Sequence, residues 1–229
     1  MHQEIQSVFL LLTRRMDLAI ILFSLLFFPG VLLHEVSHFL AARLLRVRTG
    51  RFSVFPQPLP GGRLQLGYVE TAAADPLRDT LIGAAPLISG GLFVGYSGLY
   101  GLGLLSAWNT LQAGGSSALT GGLTGMLAQP DFWLWFYLTL VVSSTMMPSA
   151  SDRRGWLPVG LVLGALLAVS LFAGAGPWLA ETLAPLLNRF LSAAATVMGI
   201  SALVHLLLLP PVWLARRLLS RLTGLQVVL

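Results

Sequence analysis

Long apolar runs, not amphipathic stripes, dominate the hydrophobic pattern of this 229-residue chain. Five stretches read as bilayer-crossing helices, for which about 20 apolar residues are needed: about Leu18–Leu45, Leu81–Leu105, Phe132–Met147 broken by Pro148, Trp156–Leu179, and Leu191–Leu214 ending near Pro210-Pro211. The second is rich in small residues (Gly83, Gly90, Gly91, Gly95, Gly98), which let helix backbones approach closely in lipid. The Gly- and Ser-rich stretch Ala113–Gly125 reads as a flexible loop. Between the first two runs the period changes. Arg51–Phe55 and Arg63–Val69 alternate polar and apolar residues, as half-buried strands do, and Pro56, Pro58, Pro60, Gly61 and Gly62 supply turn chemistry between them. This is a β-hairpin, residues 51–69, at a membrane face. Asp75-Pro76 then fits a helix start, with Asp75 as N-cap.

The pattern predicts an all-α polytopic membrane protein with about five transmembrane helices and a small membrane-associated β-hairpin between the first and second. Composition agrees, since only 10% of residues are charged against about a quarter in soluble domains. Abundant apolar side chains exclude disorder. The net charge of +5 is spread over several interhelical segments and forms no single stripe, so no nucleic-acid partner is expected. The chain reads as one domain, 1–229, with a core at 18–156 and two additional helices in 157–229. Cysteine is absent, which removes disulfides and thiolate metal sites. The first 17 residues do not resemble a cleavable signal peptide. With the N-terminus outside and the C-terminus cytoplasmic, 11 of the 14 Arg lie on the cytoplasmic side and 3 outside, as the positive-inside rule requires.

The dense polar cluster inside the first run carries the chemistry. His34-Glu35-Val36-Ser37-His38 is a His-Glu-x-x-His motif. On a helix, positions i and i+4 share a face, so both imidazoles reach one zinc ion, with Glu35 beside it as general base. A bound metal also offsets the cost of ionisable groups at membrane depth. Zinc catalysis needs a third protein ligand and one open position. His2 is terminal, and His205, in the fifth run, fits a helix–helix hydrogen bond better. Glu70 belongs to the hairpin, and Asp131 and Glu181 lie on the outer side. Asp152 follows the Pro148 break and lies near the same end of its run as His34 and His38. It either turns back to the metal, caps the next helix, or pairs with Arg153.

The arrangement resembles the site-2 protease family of intramembrane zinc metalloproteases. The resemblance covers roughly residues 18–156 and rests on His34, Glu35 and His38, on Met147-Pro148 leading to Asp152, and on the Gly83-Ala-Ala-Pro86-Leu-Ile-Ser-Gly90 helix. Where the family's second motif carries Asn, this chain has Thr145 or Ser144, and Asp152 is followed by Arg153-Arg154-Gly155. The resemblance implies Zn2+ held by His34, His38 and Asp152, Glu35 as catalytic base, and hydrolysis of a peptide bond in or near a transmembrane segment of a membrane-protein substrate. It places the chain in a membrane, with a prokaryotic cytoplasmic membrane as the expected location. Strand Arg63–Val69, through Leu64, Leu66 and Tyr68, is the expected substrate-binding edge, pairing with an extended segment. The alternative function is a catalytically silent, protease-like subunit or scaffold of a membrane complex.

Overall fold

The computed structural model describes residues 1–58, 64–114 and 117–225. It is mostly helical, 78%. Among the described residues three helical stretches, Met16–Leu44, Pro76–Gly101 and Gly176–Thr223, are long and apolar enough to cross a membrane. The chain is therefore consistent with an integral membrane protein.

Helix α1 (His2–Thr13) precedes the first of these, α2 (Met16–Leu44). The chain turns at Arg14, whose φ of 54° is left-handed, and α1 doubles back along α2. Its His2 ring meets Phe23 and Phe27 edge-on, with ring centres 5.7 and 4.9 Å apart, and its Glu4 forms an ion pair with Arg216. The sequence pattern did not mark α1 because its 12 residues are too few to span a bilayer.

After α2 come β1 (Thr49–Ser53), β2 (Gln57–Pro58), β3 (Leu64–Gln65) and β4 (Tyr68–Thr71). β1 pairs antiparallel with β4, with Phe52 opposite Val69 and Ser53 opposite Tyr68, and β2 pairs with β3. The hairpin is thus present, with its main pairing closer to the helices than expected. Arg63, the expected start of the second strand, lies outside the described residues. Asp75 caps α3 (Pro76–Tyr96): its Oδ1 accepts the Arg78 N–H at 3.0 Å. That bond holds the Asp75 carboxyl below its ordinary range.

Helix α3 continues through a wider π turn, Ser97–Gly101. Gly103, at φ 70°, then redirects the chain into α4 (Leu104–Ala113), which is followed by α5 (Ala118–Leu127). The loop expected at Ala113–Gly125 is therefore corrected: much of it is helix. Gly122 is buried, and a Cβ there would lie 3.5 Å from the Ala107 carbonyl, so small residues in this stretch bring α5 close to α4.

α6 (Phe132–Thr145) and α7 (Trp156–Phe172) have 14 and 17 residues, roughly 21 and 25 Å against a hydrocarbon core of about 30 Å. They fall short of the length that the other three reach. α8 (Gly176–Trp178), a π turn at Leu179–Leu183 and α9 (Ala184–Thr223) follow. α9 continues through Pro210-Pro211 to Thr223, beyond the expected end. Two adjacent prolines remove backbone donors without ending this helix. The main core lies where α1, α2, α3, α6 and α9 meet, with Phe23, Phe27, Val31, Val94, Val141, Val142, Met146 and Ile200 buried together.

Candidate metal centre

Residues 16–44 form one uninterrupted helix through Pro29, so His34 and His38 sit one turn apart on the same face. Their Nε2 atoms are 3.1 Å from each other. His38 Nδ1 lies 2.9 Å from the Ile82 carbonyl oxygen of α3. A carbonyl only accepts, so Nδ1 donates to it, and Nε2 is left facing His34 and Asp152. His34 Nδ1 is buried and has no hydrogen-bond partner among the described residues.

The third member arrives from the segment between α6 and α7. α6 ends at Thr145, and Pro148 keeps it from resuming. Residues 146–155 then turn without regular helix, and Asp152, Arg154 and Gly155 lie against α3. Asp152 Oδ1 lies 3.4 Å from His38 Nε2, and its Oδ2 lies 4.0 Å from His34 Nε2. Asp152 Oδ2 also accepts the Ser149 N–H at 2.7 Å and the Ser149 hydroxyl at 2.6 Å. It neither caps α7, whose N-cap is Gly155, nor pairs with Arg153, whose Nε donates to the Ser149 carbonyl.

Three features fasten this segment to α3. The Asp152 carbonyl oxygen rests where a Cβ on Gly83 would sit, and the Pro76 carbonyl and Thr80 close on Gly155 at 2.7 Å from its ideal Cβ position. The Arg154 guanidinium grips the Asp79 carboxylate with two bonds, at 3.0 and 3.2 Å. Close approach of the other helices follows the same logic. Gly30 of α2 lies against Val141 and Thr145, and Gly90 of α3 against Met146. Ser37 and Ser89 join α2 to α3 at 2.6 Å.

His34, His38 and Asp152 therefore form a group able to hold a metal ion, with ligand atoms all within 4.8 Å of one another. A tetrahedral ion with bonds of about 2.0–2.1 Å separates its ligands by about 3.3 Å. The 3.1 Å between the two Nε2 atoms and the 3.4 Å from His38 Nε2 to Asp152 Oδ1 approach that figure, while His34 Nε2 lies 4.0 Å from the other carboxylate oxygen. Two imidazole nitrogens and a carboxylate converge here, a donor set suited to zinc and other first-row divalent ions. The residues fit the group.

Glu35 is buried at 7% exposure. It lines the same cavity of about 720 Å³ as the triad, along with Leu66, Gly67 and Tyr68 of the hairpin. The hairpin backbone presses directly on it: a Cβ on Gly67 would lie 2.8 Å from Glu35 Cγ and 3.0 Å from its Oε1. Of the expected substrate-binding residues, Leu66 and Tyr68 thus wall the site. Leu64 pairs with Pro58 in the β2–β3 ribbon, and its side chain lies outside the described residues.

The other ligand candidates are engaged elsewhere. His205 Nε2 bonds the Ser144 hydroxyl at 2.9 Å, and its Nδ1 bonds the Ser201 carbonyl at 2.7 Å, which makes it a helix–helix partner. Glu70 accepts the Arg51 N–H across the strand pair. Ser149, Gly83, Ile82 and the Asp79–Arg154 pair were not singled out from sequence for these roles. The visible trace of one of them is the spacing of Gly83 and Gly90, seven residues apart on one helix face. Comparison of the chain with protein-family models, with curated proteins and with solved structures gives no match.

Proposed function

We propose that the protein is an intramembrane zinc metalloprotease of the site-2 type, hydrolysing a peptide bond in or near a transmembrane segment of a membrane-protein substrate. The observation that carries this reading is the convergence of His34, His38 and Asp152 in one cavity with a buried carboxylate, Glu35. A zinc ion held there by His34, His38 and Asp152 would acidify a water and polarise the scissile carbonyl. Glu35 takes the proton of the attacking water, whose oxygen bonds to the carbonyl carbon. It then delivers that proton to the departing amine as the C–N bond breaks. The helical positions of His34 and His38 fix two ligands, Ser149 orients the third, and the buried setting strengthens every charge interaction inside it. Leu66, Gly67 and Tyr68 lie where an extended substrate segment passes the base, and strand addition to the hairpin is the binding mode that fits.

In this reading α6 and α7 complete five crossings with the three longer helices. The Arg14–Arg15 corner faces outside, and the hairpin and residues 146–155 face the cytoplasm of a prokaryotic cell.

The test is metal content and proteolysis on detergent-purified protein. Wild type is expected to hold about one zinc per chain, and Asp152→Ala to lose it. Glu35→Gln is expected to keep zinc and to lose about 10²–10⁴-fold in cleavage of a transmembrane reporter. Cleavage that survives Glu35→Gln removes the mechanism. Folded wild type that takes up no zinc from chelator-free buffer favours the silent scaffold instead.

A further inference from the structure

Arg43, Arg46, Arg48 and Arg51 fall within nine residues, and residues 43–58 contain no acid. All four are exposed, and none takes part in a salt bridge among the described residues. The nearby carboxylate of Glu70 is bonded to the main-chain N–H of Arg51, 3.1 Å away. The cations are interleaved with apolar side chains that face outward: Leu44 is 83%, Phe52 43% and Phe55 73% exposed. The patch is continuous across the junction of helix and strand. The Arg43 guanidinium carbon lies 5.7 Å from the centre of the Phe39 ring, and that ring meets Phe52 edge-on at 6.0 Å. It begins where α2, a membrane-length helix, leaves its apolar stretch.

Like charges this close repel one another unless anions separate them, and guanidinium forks match phosphate oxygens two at a time. A soluble anion satisfies the arginines and leaves Leu44, Phe52 and Phe55 in water. A leaflet of anionic lipid satisfies both, because phosphodiesters sit at the level of the charges and acyl chains begin just below, beside the aromatic rings. We propose that residues 43–55 form an anionic-lipid docking surface, with the four arginines on headgroup phosphates and Phe52 and Phe55 seated at the acyl boundary. Anchored in this way, β1 holds its partner β4, and with it Gly67 against Glu35, at a fixed depth. The proposal is independent of any metal at the triad.

The experiment uses the full chain in nanodiscs of phosphatidylcholine alone or of equal parts phosphatidylcholine and phosphatidylglycerol. Amide hydrogen exchange is read over 43–55. Exchange in wild type is expected to be about tenfold slower in the mixed discs, with the difference shrinking as salt rises. The fourfold variant R43Q/R46Q/R48Q/R51Q is expected to exchange alike in both. Equal wild-type exchange in the two lipids overturns the proposal. So does equal protection in phosphatidylcholine discs on adding inorganic phosphate, which makes the patch a phosphate site. If the fourfold variant does not fold, the wild-type comparison between the two lipids decides.

Discussion

Phe27, Val94 and Val141, on α2, α3 and α6, are sealed from solvent at 0% exposure, while Leu161, Leu163 and Phe172 on α7 stand 66, 61 and 94% exposed. Both groups come from apolar runs. α7 has no buried residue, and α9 buries only Ile200 and Val204 along 40 residues. The difference does not lie in hydrophobicity. Lipid tails are as apolar as leucine, so an apolar side chain gains little from choosing a helix over the bilayer. Close packing and polar partners decide instead. Gly30, Gly83 and Gly90 each meet a neighbouring segment where a Cβ would be, whereas a Cβ on Gly160 or Gly164 of α7 would meet nothing within 4 Å among the described residues. The α2–α3–α6 region also carries Ser37–Ser89 and Thr139–Ser97 bonds between helices. That region packs the elements that carry the triad, and α7 presents its apolar side chains outward.

Truncation gives the largest expected contrast. Phe27→Ala is expected to cost about 3–5 kcal/mol through lost contacts and a cavity, and Leu163→Ala to stay within about 0.5 kcal/mol, both read from unfolding in mixed micelles. Equal losses would mean that α7 is covered by protein, not lipid. The glycines sharpen the comparison at intermediate size. Gly83→Ala is expected to push the Asp152 backbone off α3, to cost about 1–3 kcal/mol by overpacking, and to release bound zinc. Gly164→Ala is expected to retain zinc and to gain up to about 1 kcal/mol from helix propensity. Zinc retention in Gly83→Ala would show that the segment 146–155 is not pinned there. The smallest effect tests whether that segment belongs to the rigid region or to the arm it precedes. Ser149→Ala removes one of the two bonds to Asp152 Oδ2 and is expected to weaken zinc about 10–100-fold in a chelator competition with little change in melting temperature. Unchanged affinity would leave Asp152 positioned by the Ser149 main-chain N–H, Gly83 and the Asp79–Arg154 fork.

Some of this was legible in the sequence. His-Glu-x-x-His at 34–38 needs only a helix to place two nitrogens together, and helical periodicity is local. The hairpin and the Asp75 cap are equally local, set by alternation, turn residues and one side-chain bond. The Ala113–Gly125 stretch misled because glycine has two uses. It breaks helices in water, but against a neighbour it lets helices touch, and only the partner, α4, shows which applies. α6 and α7 are shorter than the apolar runs that contain them, because apolar composition does not reveal where a helix ends.

The sequence by itself determined that the chain is helical, with apolar runs long enough to cross a membrane, and that two histidines share a helix face with a glutamate beside them. The tertiary structure alone decided that Asp152 turns back to them, that His205 is spent on Ser144, and that Glu35 lies under Gly67. Those outcomes depend on contacts between residues more than thirty positions apart, through a carbonyl resting on a glycine and a guanidinium fork on a carboxylate. Such contacts leave no periodic signal, because the chain meets itself there only once.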